Sequence, residues 1–136
     1  VVTLIRRDNL WDMETGKLNS QAPTRESAGE TIPGLLGDIQ QALFTEAAER
    51  RDANIATGID SWDGVDEFFA NNGKYPGWVE VQWAKPTGDA LEQVVEKLKA
   101  EKLTVRNVPR DAAPADGTCI FTGEPAVERV YVARAY

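Results

Sequence analysis

Apolar and polar residues alternate along this chain with two different periods. Between residues 33 and 55, apolar residues recur at spacings of three and four, which predicts one long amphipathic helix. Thr31 is expected to cap this helix, with Pro33 in its first turn. The same spacing recurs more briefly over 61–69 and 89–102 and predicts two further helices.

A period of two is typical of half-buried strands, and it appears in the second half of the chain. Residues 78–84 alternate apolar and polar side chains, and residues 103–108 repeat the pattern. The segments 118–122 and 129–135 flank a Gly-Glu-Pro sequence, which predicts a hairpin. At the start of the chain, residues 1–7 are interpreted as a short strand.

Together these elements predict an α+β fold. We expect a two-layer α/β sandwich with a small mixed sheet, a long N-terminal helix and a C-terminal β-hairpin. Residues 8–31 are polar and hold Gly16, Pro23 and Gly29, so we interpret them as a connection suited to a junction between two domains.

Length and composition narrow the class of protein. The 136 residues are enough for one domain, and the 42% hydrophobic content is ordinary for a globular chain. No apolar run is long enough to span a bilayer, so we expect no membrane association. The chain opens on a strand-like segment without Met or a signal sequence, and we therefore expect a piece of a longer protein.

The charge balance argues against a free-standing nucleic-acid-binding protein. The chain has 15 basic and 22 acidic residues, which gives a net charge of −7, whereas phosphate binding needs a positive surface. Arg6 and Arg7 form one basic doublet, and Arg50 and Arg51 form the other. Either doublet could meet RNA phosphates, but two adjacent charges beside acidic neighbours are more typical of a solvated surface.

Residues able to carry out chemistry are scarce. The chain has no histidine, which removes Ser-His-Asp triads, Cys-His pairs and His-containing zinc sites, and it has no glycine-rich phosphate loop. Its one cysteine, Cys119, fits a reducing compartment such as the cytoplasm. A buried strand thiol explains Cys119 better than a metal ligand or a nucleophile, because free cysteines are among the most buried residues.

Aromatic and acidic residues offer two further candidate sites. Four tryptophans could stack on bases, but three lie in core-like runs where packing is the better interpretation, which leaves Trp11. The acidic residues between 60 and 67 do not match a calcium-binding loop and are better explained as compensation of a helix dipole.

The order of the segments carries a family resemblance. VTLIRRDN is followed by GLLGDIQQALFTEAAERRDAN, SWDGVDEFF, WVEVQWA and GTCIFTGEPAVERVYVARAY. This order, with its final Tyr, resembles the C-terminal region of prolyl-tRNA synthetase of the archaeal/eukaryotic-like type. By this resemblance, residues 1–31 are the end of an anticodon-binding domain and a linker, and residues 32–136 are the C-terminal domain.

The resemblance implies part of a class II ligase that attaches proline to tRNA(Pro) using ATP and magnesium. It places the catalytic residues outside this segment, which would be a structural and positioning module needing no cofactor and inactive alone. The implied partners are the catalytic and anticodon-binding domains, tRNA(Pro) and, for the full enzyme, a second copy in a cytoplasmic homodimer. The alternative is a stand-alone α/β protein-interaction domain without catalytic activity.

By the resemblance, three of the four ligands of the zinc-binding members that this family contains are lost here, and Cys119 alone remains. Ala84 stands where the resemblance implies a cysteine, and Thr122 replaces the second cysteine of a C-x-x-C pair that begins at Cys119. We therefore predict a degenerate site without zinc. The resemblance also suggests that Tyr136 docks toward the catalytic domain, the alternative being a frayed terminus, and that Arg6 and Arg7 are candidate tRNA contacts.

Overall fold

The fold is seen in a computed structural model that describes residues 2–135. The chain divides into two compact units, one of residues up to Arg50 and the other of residues from Arg51 onward. The described residues form three helices and a small mixed sheet, which confirms the predicted α+β class.

The first unit begins with a hairpin. Strand β1 (Leu4–Ile5) pairs antiparallel with β2 (Ser20–Gln21). Between them the Asp12 carboxylate accepts hydrogen bonds from the main-chain N–H groups of Glu14 and Thr15, at 2.9 and 2.8 Å, which tightens the turn. The segment interpreted as a connection therefore holds a short hairpin.

Helix α1 runs from Arg25 to Ala53, so its predicted start at Thr31 is wrong. Thr24 is the residue that caps it, because its hydroxyl accepts a hydrogen bond from the Ser27 N–H at 3.2 Å. The Thr31 hydroxyl instead donates to the Ser27 carbonyl, and Pro33 lies inside the helix. None of the described helices is both long enough and apolar enough to cross a bilayer.

The second unit is built around a four-stranded sheet. Its strands lie in the spatial order β3, β4, β6, β5; β3 is parallel to β4, and β6 is antiparallel to both β4 and β5. The elements, in chain order, are β3 (Ile55–Ala56), α2 (Trp62–Asn71), β4 (Trp78–Trp83), α3 (Gly88–Ala100), β5 (Leu103–Val105) and β6 (Glu128–Arg134).

The last strand pairs differently from the sequence expectation. Residues 118–122 form no regular strand; they lie in a tight loop closed by one bridge between Thr118 and Pro125. Strand β6 inserts between β4 and β5 and pairs with both. Because β4 and β5 are each antiparallel to β6, they run parallel to each other on either side of it.

The core lies between one face of this sheet and helices α2 and α3. Val79 and Val81 of β4 stand opposite Val132 and Val130 of β6, and all four are almost inaccessible to solvent. Side chains of α2 and α3 cover this face: Val65, Phe69, Val94 and Leu98. The opposite face carries polar side chains such as Glu80 and Gln82.

Candidate functional site

The loop around Cys119 closes on itself through the main chain. The Cys119 N–H donates to the Glu124 carbonyl at 2.8 Å, and the Gly123 N–H donates back to the Cys119 carbonyl at 2.9 Å. Gly123 has a φ of +74°, a left-handed conformation that glycine adopts without steric cost. A third bond, from the Ala126 N–H to the Gly117 carbonyl, closes the base of the loop at 2.9 Å. These bonds define a knuckle, residues 117–126.

The knuckle is anchored on the sheet and on aromatic side chains. The Val127 N–H donates to the Trp83 carbonyl at 2.9 Å, which ties the knuckle's exit to β4. Phe121 packs against Trp62 and Trp83, with ring centroids 5.5 Å away in both cases. Cys119 is 2% exposed and belongs to the main core cluster.

Ala84, Cys119 and Thr122 meet in this structure. Burial alone would raise the pKa of the Cys119 thiol, but the Thr122 hydroxyl and the main-chain N–H groups of Ala84, Phe121 and Thr122 donate toward its sulfur. These donors favour the thiolate, and the pKa of Cys119 is lowered overall. Polar contacts with Thr122, Ala84 and Phe121 therefore outweigh the effect of burial on the Cys119 thiol.

The residues present do not fit a structural zinc ion. Such an ion needs four ligands, mostly thiolates and imidazoles, whereas Cys119, Thr122 and Ala84 offer one sulfur, one hydroxyl and one methyl group. Among residues 2–135, no three His, Cys, Asp or Glu side chains converge in a way that could hold a metal ion.

We expect the chain, purified after growth with added zinc, to carry far less than one zinc ion per molecule. Lone thiolates bind zinc weakly, because the missing ligands supply most of the binding free energy. Elemental analysis after exhaustive dialysis measures the metal content. A zinc content near one equivalent that Cys119→Ala abolishes would contradict the expectation.

The stability contributed by Cys119 is expected to increase with pH. Because its pKa is lowered in the fold, the contribution is complete above the pKa of the unfolded thiol, about 8.5, and is lost as the pH falls through the folded pKa. Urea unfolding of the wild type and of Cys119→Ala measures this. The difference between their unfolding free energies should widen from about pH 7 to about pH 9.5; a constant or narrowing difference would be inconsistent with a lowered pKa.

The other sequence-predicted positions lie apart from the knuckle. The Arg6 guanidinium binds the Asp8 carboxylate at 2.7 and 3.2 Å, and this contact raises the pKa of Arg6 and lowers that of Asp8. Arg7 is exposed. Tyr136 is outside the described residues.

The tryptophans divide between core and surface. Trp83 is buried and Trp62 half-buried, and both pack on Phe121. Trp78 packs edge-on against Tyr131 with ring centroids 5.4 Å apart, yet it is 40% exposed. Trp11 is 56% exposed, and it is the one tryptophan that the sequence did not assign to the core.

Two polar groupings were missed by sequence reasoning. Arg129 donates to Glu80 at 3.0 Å and to Asp116 at 2.9 Å, and so links both central strands to the loop before the knuckle. A groove at the end of β6 collects cations from four separate segments. Polar residues at alternate strand positions could have suggested the cluster around Arg129. No local sequence pattern indicates the groove.

Comparison with known proteins finds similarity to proline–tRNA ligases. The chain is 52% identical over all of its 136 residues to the proline–tRNA ligase of Erythrobacter litoralis, and covers 26% of that protein. It is 53% identical over 135 residues to the proline–tRNA ligase of Sphingomonas elodea, again covering 26% of it. No family model matches the sequence.

A solved structure has the same fold. Prolyl-tRNA synthetase from Cryptosporidium parvum, complexed with halofuginone and AMPPNP, superposes with a TM-score of 0.68 over 89% of this chain and 24% of its own. At 19% identity this likeness shows the fold alone. The relatives extend well beyond this chain, which spans about a quarter of their length. Over its whole length, the chain is a homologue of a segment of proline–tRNA ligases.

Proposed function

We propose that this chain is the C-terminal domain of a prolyl-tRNA synthetase of the archaeal/eukaryotic-like type. The observation that carries the proposal is the 52% identity over all 136 residues to a quarter of a proline–tRNA ligase. The whole enzyme attaches proline to tRNA(Pro) using ATP and magnesium, in the cytoplasm and as a homodimer. In this proposal residues 1–31 end the anticodon-binding domain and its linker, and residues 32–136 form the C-terminal domain.

The role proposed for this segment is to position other parts of the enzyme. Catalytic side chains are not expected here, because the chain lacks histidine and any phosphate-binding loop. ATP and magnesium act in parts of the longer enzyme that this chain does not contain. Of the proposed tRNA contacts, Arg7 is the better candidate, because Arg6 is already paired with Asp8.

Exposed apolar side chains in the first unit support a role inside a larger protein. In α1, Leu36, Leu43 and Phe44 are 61%, 52% and 65% exposed, and in the hairpin Trp11 and Met13 are 56% and 93% exposed. So many large exposed apolar side chains are typical of a surface that another polypeptide covers. We propose that the catalytic and anticodon-binding domains of the same chain cover them.

Expression of the complete gene that contains this sequence tests the proposal. The full-length protein should catalyse proline-dependent exchange of pyrophosphate into ATP and should prolylate tRNA(Pro), whereas the 136-residue chain alone should do neither. A full-length protein that performs neither reaction would favour the alternative, a stand-alone protein-interaction domain.

Tyr136 is proposed to dock toward the catalytic domain. In the same full-length protein, removal of Tyr136 should lower the rate of proline activation or the melting temperature, whereas Tyr136→Phe, which keeps the ring and the terminal carboxylate, should retain most of both. Unchanged kinetics and melting after the deletion would reject docking without affecting the assignment of the enzyme.

A further inference from the structure

A groove of about 1200 Å³ opens in the second unit where β6 ends. Its walls come from residues 74–78, from the end of α3, from the start of the segment after β5 and from the last residues of β6. The charged and aromatic residues that line it are Lys74, Tyr75, Trp78, Lys102, Arg106, Arg134 and one acidic residue, Glu101.

The groove is positive although the unit around it is negative. Residues 51–136 contain ten basic and fourteen acidic residues, a net charge of −4. The groove nevertheless gathers four cations and one carboxylate. None of these four cations forms an ion pair with another residue in the range 2–135. Within residues 2–135, ion pairing therefore leaves their charge unneutralised, which favours an anionic ligand.

Main-chain contacts hold part of this positive surface in place. The Arg134 guanidinium donates to the Phe69 carbonyl at 2.5 Å, and the Arg106 guanidinium donates to the Arg134 carbonyl at 2.6 Å. Carbonyl partners orient a guanidinium without neutralising it, and each guanidinium has five N–H donors. The main chain at Lys102 is also fixed, because its carbonyl accepts a hydrogen bond from the Ala135 N–H at 2.7 Å. An anion would thus meet two guanidinium groups that are already oriented.

Aromatic faces lie beside these cations. Tyr75 is 73% exposed, and the Lys74 ammonium sits 5.2 Å from its ring centroid. Trp78 is 40% exposed and is supported from one side by Tyr131. Cations that follow a phosphate backbone, next to aromatic rings on which bases stack, are what proteins use to bind unpaired RNA.

We propose that this groove binds RNA, with Lys74, Lys102, Arg106 and Arg134 meeting phosphates and Tyr75 stacking on an unpaired base. The inference rests on the proposed function, in which tRNA(Pro) is a partner of the whole enzyme. An acidic polypeptide segment would use the same cations but would gain little from an exposed tyrosine ring, so the aromatic faces favour RNA.

Binding of a tRNA(Pro) transcript to the full-length protein tests the groove, in parallel with the 136-residue chain. The double variant Lys74→Gln, Lys102→Asn removes two charges; asparagine suits the left-handed backbone at Lys102, where φ is 55°. Affinity should fall at least about fivefold at 0.1 M salt, and the slope of log affinity against log salt should become shallower by roughly 1.4. Tyr75→Ala should weaken binding by about tenfold.

A matched control separates the groove from general charge. Lys99→Gln, Arg110→Gln removes two exposed cations that do not line the groove, and its affinity should stay within about twofold of the wild type. Equal losses in both double variants, or no loss in either, would overturn the RNA-binding groove. A third outcome would also overturn it: in the full-length protein, the groove variant alone melts at a lower temperature while its RNA affinity is unchanged. The groove would then hold a polypeptide segment of the same protein.

The prolylation assay distinguishes the two failures. A full-length protein that prolylates tRNA(Pro) but shows no groove effect loses only the groove inference. A full-length protein that neither activates proline nor prolylates tRNA loses the proposed function.

Discussion

Replacing Gly77 by alanine should lower the free energy of unfolding of the second unit by roughly 2–4 kcal/mol. Gly77 has a φ of +92°, which alanine adopts only with strain. A Cβ atom at this position would lie 2.3 Å from the Asn54 carbonyl oxygen, far inside van der Waals contact. The same carbonyl accepts the Trp78 N–H at 2.9 Å at the start of the β3–β4 pairing, so the clash cannot relax without disturbing that pairing.

Gly73→Ala is the matched control for this prediction. Gly73 also has a positive φ, +73°, but nothing lies within 4 Å of a Cβ placed there. It should therefore show only the cost of the left-handed backbone, about 1 kcal/mol. Urea unfolding monitored by tryptophan fluorescence measures both variants. Equal losses would show that backbone conformation, and not the approach to Asn54, requires glycine at residue 77.

Leu103→Ala should lower the free energy of unfolding by about 2–5 kcal/mol. Leu103 is 1% exposed and begins β5, where it belongs to the cluster shared by the sheet and helices α2 and α3. Truncation removes the transfer free energy of the side chain and leaves a cavity that a packed core closes only in part.

Leu91→Ala is the comparison for this core variant, because Leu91 is 38% exposed on α3. Its loss should stay below about 1 kcal/mol. Both variants are measured by urea denaturation under the same conditions, with the slope of the transition checked for constancy. A loss at residue 91 as large as that at residue 103 would show that burial of Leu103 does not set the stability of this sheet.

Part of the fold could be predicted from local periodicity. The predicted strand 78–84 and helix 89–102 are confirmed as β4 (Trp78–Trp83) and α3 (Gly88–Ala100). These assignments succeed because each element buries one face, and the alternation of its side chains records that burial directly.

The start of α1 was not predictable in the same way. Thr31 followed by Pro33 has the pattern of a capped helix start, yet the helix begins at Arg25 because Thr24 supplies the cap. Both threonines offer a hydroxyl, and the choice between them depends on where the preceding hairpin delivers the chain, which a local pattern does not contain.

The candidate sites divide along the same line. Cys119 stands out in the sequence as the one cysteine, whereas Ala84 and Thr122 were singled out by the family resemblance. Tertiary structure decided that these residues lie together, and that β6 pairs between β4 and β5 instead of forming a hairpin with residues 118–122. The groove depends on the tertiary structure even more. Its four cations are separated along the chain and come together only in the folded unit: Lys74, Lys102, Arg106 and Arg134.

The sequence by itself determined helices α2 and α3 and strands β4, β5 and β6 of the second unit, how the charge is balanced and what chemistry the chain lacks, because those properties belong to residues and their near neighbours. The tertiary structure decided strand order, the surroundings of Cys119 and the positive groove. These depend on which distant segments become adjacent, and adjacency is set by the burial of the whole core, a property that no local stretch of sequence carries.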